Sequence, residues 1–390
     1  MASLTHIIWE IDTFSLTAMK ITSFEVVKLN LPTRMTLKSV AAWAPGGILN
    51  LDEVFCVMAS LTTDDGIVGT GTTATVTGYA GMTHDTLNDA VRYLGPSLVG
   101  IDPFDIEEAH LRMKGTLGGN YPAKSVFDIA LYDIMGKSIQ KPIYKLLGGR
   151  VRESFVTDRA LMTHGKTGKE IAADTAMYME EGYRGFEVHV GSGLENDVES
   201  IKAIRDAGGA DIAIIADAHQ HWSIKEAIRT IKALERYDVV IESPTKGIKN
   251  MGEVKRAVDV PIAADEDCHT VDDAFRIISE GAADVLTIKL VKAGGLYPCK
   301  KISDMAQAAG VAIRIDGVPG DTKLSNTAAA HLGMTISNII PGSGVMQNKY
   351  FLREDVVVEG GLTMGPDGKV TVPETPGIGV TTSSSLNKGS

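Results

Sequence analysis

Three short apolar runs that each end on an acid constrain this chain more than any other feature. They are IIADAHQHW around Asp217, VVIESP around Glu242 and PIAADED around Asp265. The runs recur about every 25 residues, the period of a strand, a loop and a helix turning back. Strands connected in this way are parallel, so the three carboxylates gather at one end of a sheet. In a closed β/α barrel that end carries the active site. Converging carboxylates repel one another unless a cation lies between them. Oxygen-only ligation with open positions for substrate and water suits Mg²⁺ better than Zn²⁺ or a transition metal. A fourth run, VLTIKLVKAGGL, sets Lys289 inside an apolar strand beside that expected cation. Burial and the neighbouring cation would both lower its pKa and make it a base, the competing reading being a barrel lysine paired with one carboxylate.

The rest of the chain falls into place around this stretch. Residues 1–18 precede a natural start at Met19 and are set aside as an N-terminal extension. Residues 19–150 read as an α+β capping domain. Strand-like alternation runs through ITSFEVVKLNLP, breaks at Pro32 and resumes as VFCVMASLTTDDGIVGTGTT, with a hairpin at Asp65-Gly66. Two loops, Thr33–Asn50 with Trp43 and Thr73–Thr83, are expected lids, ordinary surface loops being the plainer reading. Helical spacing takes over from Thr86. Residues 151–342 alternate strand and helix, with eight strand candidates: FVTDRALM, RGFEVHVG, AIIAD, VVIES, PIAAD, ADVLTIK, VAIRID and MTISNII. Eight implies a closed barrel. Residues 343–380 return to an extended pattern expected to pack back on the cap, and 381–390 read as a mobile tail. The expected fold is therefore α/β: a (β/α)8-type, TIM-like barrel with an N-terminal α+β capping domain completed by the C-terminal segment.

Composition narrows the partners. A net charge of −11 without a basic patch argues against nucleic acid and anionic membrane. No run of about 18 apolar residues appears, and the N-terminus lacks a basic region followed by an apolar core. Cys56, Cys268 and Cys299 are odd in number and lack CxxC spacing, which indicates neither a disulfide framework nor a cysteine zinc site and fits a reducing cytoplasm. VGTGTT and KAGG lack the strand-GxGxxG-helix context, so no nucleotide is expected.

Together the acid-ended strands, IKLVKAGG, and the cap segments NYPAKSVFDIALYDIMGK and PIYKLLGG resemble the enolase superfamily, in its muconate-lactonising and mandelate-racemase-like branch. The resemblance spans about Met19 to Val380. It implies Mg²⁺ held by Asp217, Glu242 and Asp265, a small-molecule carboxylate substrate, removal of its α-proton, and an enediolate stabilised by the metal. It also implies a homo-oligomer. The chemistry is reasonable because an α-proton beside a carboxylate is weakly acidic, and localised positive charge must meet the new oxyanion in a site closed to water.

Two departures bear on the reaction. Where the branch often has Lys-x-Lys, this chain reads Glu187-Val188-His189, so His189 falls at the base position facing Lys289, with Glu187 placed to orient it. His189 could instead be a hydrogen-bonded barrel residue or read the substrate. His219, two residues after Asp217, matches an acid found in some sugar-acid dehydratases, or else supports the metal ligands. His221 follows in the loop. The seventh strand offers Arg314, Asp316 and Asp321 but no histidine, so a mandelate-racemase-type His–Asp dyad is absent. A pair of opposed bases, His189 and Lys289, points to racemisation or epimerisation of an amino-acid or hydroxyproline-like derivative; β-elimination by a dehydratase and a silent barrel acting as a binding protein are the alternatives.

Overall fold

The structure, a computed structural model, describes residues 19–40, 48–75 and 77–383. The extension 1–18, Trp43 and the tail beyond 383 lie outside the described residues. The chain opens with an antiparallel sheet in the order β1 (Ile21–Val40), β2 (Ile48–Thr63), β3 (Val68–Thr75). Its two faces do different work because strand side chains alternate. Val57, Ala59 and Leu61 enter a core shared with helices 84–94, 106–116 and 121–138. Cys56 and Met58 enter the core that continues into the barrel. Gly69 and Gly71 let β3 touch the helix Tyr121–Ser138, since a Cβ on Gly71 would stand 1.9 Å from the Val126 carbonyl oxygen.

The loop expected over Thr33–Asn50 is corrected. β1 continues to Val40, and Val40 pairs with Ile48, so most of this stretch is hairpin. Pro32 has no N–H to give, and β1 absorbs it as an edge strand with a register shift between Pro32 and Leu37. The hairpin at Gly66 is present, with Gly66 at φ 77°. The Thr73–Thr83 loop is partly ordered, holding a short helix, Thr77–Ala80, after the end of β3.

A two-residue strand, β4 (Phe155–Val156), leads into a curled parallel sheet. Its members are β5 (Arg159–Leu161), β6 (Gly185–His189), β7 (Ala213–Asp217), β8 (Val240–Glu242), β9 (Ile262–Ala264), β10 (Val285–Ile288) and β11 (Ala312–Ile315), paired in sequence order. The eighth expected strand, MTISNII, forms no ladder. Its stretch closes the ring through single parallel bridges, Ile313 with Ile339 and Thr157 with Ser343. Pro341, lacking a donor, and Gly342 at φ 84° prevent a longer run there. The result is a TIM-like barrel with a cap. Helices between the strands start on capping boxes, Thr167 with Glu170, Ser223 with Glu226 and Thr270 with Asp273.

The C-terminal segment adds β12 (Val357–Gly360), β13 (Thr363–Met364), β14 (Lys369–Thr371) and β15 (Val380–Thr382). β14 pairs with β4 at the foot of the barrel. Further along, the Ile378 N–H donates to Asp133 of the helix Tyr121–Ser138 at 3.0 Å. This segment thus touches barrel and cap together. No helix among the described residues is long and apolar enough to cross a membrane, and the three cysteines are unpaired and buried.

Candidate active site

Strand register sets the site. His189, the last residue of β6, pairs with Asp217, the last of β7, and Asp217 pairs with Glu242, the last of β8. Asp265, Lys289 and Asp316 each follow directly on the end of β9, β10 and β11. The chain turns sharply beyond these ends. His219, Gln220 and Ser243 sit at φ 44°, 60° and 41°, left-handed positions that non-glycine residues hold only when surroundings impose them. Here the imposing bonds run from Ala218 N–H to Glu242 O, Gln220 N–H to Ser243 O, and Ser243 N–H to Ala263 O.

The expected residues come together, with one regrouping. Glu187, Asp217 and Glu242 offer carboxylate oxygens within 4.8 Å of one another. Asp265 is turned toward two lysines: Lys289 Nζ lies 2.9 Å from its Oδ2, and Lys292 Nζ 2.5 Å from its Oδ1. Lys292 was not singled out in the sequence. Its ammonium also donates to the carbonyls of Asp265 and Thr287, so all three protons are satisfied in the interior. The signal was present, three residues after Lys289 in the turn that follows β10.

Arg314 ties the floor together. It is fully buried and reaches Asp158 at 2.6 Å, Glu187 at 2.9 Å, Glu242 at 2.9 Å and Asp316 at 3.3 Å. Glu187 in turn lies 3.4 Å from His189 Nε2, the orienting contact expected from the two-residue offset. His219 Nε2 is 3.0 Å from Asp217, and its ring meets the His189 ring edge-on at 4.4 Å. His221 forms an isolated bridge with Thr245 and does not line the cavity. Asp321, on the loop beyond β11, accepts from the Val318 N–H and the Ser325 hydroxyl.

Acids outnumber bases on this floor. Among the described residues, Asp158, Glu187, Asp217, Glu242, Asp265, Glu266 and Asp316 gather around Lys289, Lys292 and Arg314. Burial, then Glu242, Glu266 and Glu187, push the Asp217 carboxyl well above the usual range. Burial raises Glu242 to about 8 despite Arg314, and Glu266 to about 7. Glu187 is held low because Arg314 and His189 outweigh its burial. Asp265 is likewise held low by Lys289 and Lys292. The Oε1 of Glu242 is buried with no hydrogen-bond partner. Clustered acids that raise one another, around an orphaned carboxylate oxygen, fit a divalent cation.

Burial and a neighbouring cation are both expected to lower the Lys289 pKa; among the protein's own groups the balance goes the other way. Burial does press it down, but Asp265 and Asp316, at 2.9 and 2.8 Å, outweigh burial and hold it well above the usual lysine value. The paired-lysine reading is what the structure contains.

A cavity opens over these groups, lined by His189, His219, Lys289 and Glu266 and walled by Tyr79, Val318, Tyr350 and Phe351. Tyr79 comes from the short helix Thr77–Ala80, donates to Asp265 at 3.4 Å and covers Lys289, whose Nζ is 5.2 Å from the ring centre. That segment closes the site from the cap, as a lid would.

Comparison with known proteins agrees with this geometry. Residues 47–148 match the mandelate racemase / muconate lactonizing enzyme N-terminal domain, and 170–385 the enolase C-terminal domain-like family. The chain is 31% identical to a hydrophobic dipeptide epimerase of Enterococcus faecalis, over 89% of this chain and 97% of that one. It is 30% identical to a cis-3-hydroxy-L-proline dehydratase of Roseibium aggregatum, over 93% and 96%. The crystal structure of the Enterococcus faecalis dipeptide epimerase, complexed with Mg and the dipeptide L-Leu-L-Tyr, superposes with a TM-score of 0.85 at 29% identity, covering 93% of this chain and 99% of that one.

Proposed function

The chain belongs to the mandelate racemase and muconate lactonizing branch of the enolase superfamily and is an enzyme of isomerase or lyase type, and on that premise we propose that it racemises or epimerises an amino-acid derivative at the carbon next to a carboxylate. The observation that carries this reading is the placement of two proton-transfer groups. His189 ends β6 and Lys289 follows β10, and three members of the ring separate these strands in either direction. The two side chains therefore face the cavity from opposite sides. A proton removed from one face of a substrate carbon can be returned on the other, which inverts the centre.

On this reading Asp217, Glu242 and Asp265 hold Mg²⁺, with Glu187 beside them. The ion supplies positive charge where the substrate carboxylate gains electron density. The chain's own residues do the rest. Glu187, anchored by Arg314, presents the His189 imidazole to the cavity. Asp316 and Asp265 hold the Lys289 ammonium at its position, ready to donate. Tyr79, Val318, Tyr350 and Phe351 keep water from the reacting carbon. The substrate is a small carboxylate such as a dipeptide, an N-acylated amino acid or a hydroxyproline-like compound, turned over by a homo-oligomer in the cytoplasm; the three unpaired thiols support a reducing compartment.

A dehydratase is the second reading, favoured by His219 standing edge-on to His189, where it could protonate a leaving hydroxyl. Proton NMR in D₂O with Mg²⁺ separates the two. We expect α-proton exchange with inversion and no loss of water. Each of His189→Asn and Lys289→Ala should then leave exchange of only one enantiomer and reduce racemisation by about 10²–10⁴-fold. Appearance of a keto or imine product with loss of water overturns racemisation in favour of elimination.

A further inference from the structure

The metal ligands assigned above are all oxygens, yet the same floor carries a second, chemically different donor set. Glu187, His189 and His219 each offer a ligand atom, all within 4.8 Å of one another. His189 Nε2 already lies 3.4 Å from Glu187 Oε1, and the two imidazole rings meet edge-on at 4.4 Å. We propose that Glu187, His189 and His219 form a second metal site, selective for a late first-row divalent ion such as Zn²⁺ or Co²⁺, whose occupancy takes His189 out of acid–base duty.

Three observations support this. First, two imidazoles with one carboxylate are the donors that zinc and its transition-metal neighbours prefer, whereas Mg²⁺ takes oxygen and keeps its waters. Second, the site is nearly assembled. Bonds of roughly 2.1 Å place two ligand atoms no more than about 4.2 Å apart, so a small side-chain rotation closes the set. Glu187 is steadied for this by Arg314 at 2.9 Å on its other oxygen, and all three residues face a cavity that leaves coordination positions open. Third, charge permits it. Seven carboxyl groups against three fixed cations can accept two divalent ions, and Glu187 stands beside both donor groups. Such a site arises here because this chain carries Glu-x-His on β6 and a histidine two residues beyond the acid of β7.

The inference goes beyond the reaction proposed above and rests on it only for the effect on activity, so binding is read separately. The full chain, saturated with Mg²⁺, is titrated with Co²⁺ and followed by visible absorption. The expected result is one equivalent of Co²⁺ with the strong ligand-field bands of an imidazole-bound, low-coordinate ion, displaced by Zn²⁺. His189→Gln and His219→Gln should each weaken that binding by more than the roughly 10–100-fold that loss of a supporting partner costs. Both variants should keep the rise in melting temperature with Mg²⁺, which certifies the fold and the oxygen site. On an active substrate, Zn²⁺ should inhibit in the same concentration range in which it displaces Co²⁺. Absence of the bands overturns the proposal. So do bands unchanged in both variants, which would put the ion elsewhere. Zn²⁺ binding without inhibition overturns the part that concerns His189, and absence of any substrate turnover would fail the reaction reading alone.

Discussion

Arg314 is the residue on which the largest number of site groups depend. Its guanidinium has no exposure and compensates Asp158, Glu187, Glu242 and Asp316 at once. Removing one partner of a buried ion pair leaves uncompensated charge in the interior, at a cost of about 3–5 kcal/mol. Arg314→Met should lose stability of that order in urea unfolding at neutral pH, and Arg314→Lys should recover only part, since an ammonium cannot fork toward four carboxylates. A loss below about 1 kcal/mol would show that the carboxyls simply take up protons instead. The sequence displayed Arg314 inside VAIRID but gave no sign of its role. A lone cation in an apolar strand acquires meaning only from the acids that other strands bring to it.

Among the elements, the helix Tyr121–Ser138 carries the coupling between cap and barrel. Asp128 on this helix receives the Leu296 and Tyr297 N–H groups at 2.5 and 3.2 Å, capping the barrel helix Leu296–Ala308 that follows the Lys289 turn. Gly295 permits the approach, because a Cβ there would stand 2.2 Å from Asp128 Cγ. At the other end of the contact, the C-terminal segment is held by His331, buried on helix Lys323–Gly333 and bonded to the Ile378 carbonyl at 3.1 Å. Burial lowers His331 from 6.5 to about 4. A depressed histidine stays neutral in the folded chain while the unfolded chain takes up a proton, so its contribution is present above pH 6.5 and lost as pH falls toward 4. That contribution is on the order of 3 kcal/mol. His331→Gln keeps a donor for the carbonyl and cannot titrate. Acid unfolding of the variant should therefore show a shallower stability loss across this window than the parent chain, and equal slopes would rule the histidine out.

At the level of the molecule, the unbalanced acids make stability depend on metal and pH together. For Glu242 the folded pKa is raised, from 4.5 to about 8. A raised carboxyl binds its proton more tightly in the folded chain, so the contribution of Glu242 to the metal-free protein should fall as pH rises from about 4.5 to 8, opposing that of His331 below pH 6.5. On the proposed function Mg²⁺ would bind the deprotonated acids, so its stabilisation should grow over the same interval. At 100 times the dissociation constant the gain is about 2.7 kcal/mol, and Asp217→Asn should abolish most of it. Melting curves with Mg²⁺ or EDTA between pH 5 and 8 test both signs. A barrel without a metal site would show no difference between the two series.

The barrel itself was legible because period and polarity are local properties. Apolar runs of strand length, spaced one β/α unit apart and ended by acids, specify parallel strands with the acids at one end, and the structure has Asp217, Glu242 and Asp265 at those ends. The cap hairpin at Gly66 was legible for the same reason. What the sequence could not specify is which charges meet. It could not show that Asp265 pairs with Lys289 and Lys292 while Glu187 joins Asp217 and Glu242, that Asp316 also pairs with Lys289, or that the eighth member of the ring closes through single bridges. Charge pairing acts through space over a few ångströms, at this site between residues as far as 156 positions apart in the chain, as Asp158 and Arg314 are. Periodicity carries no record of such distances, so the charge pairing of this site was decided by the tertiary structure alone.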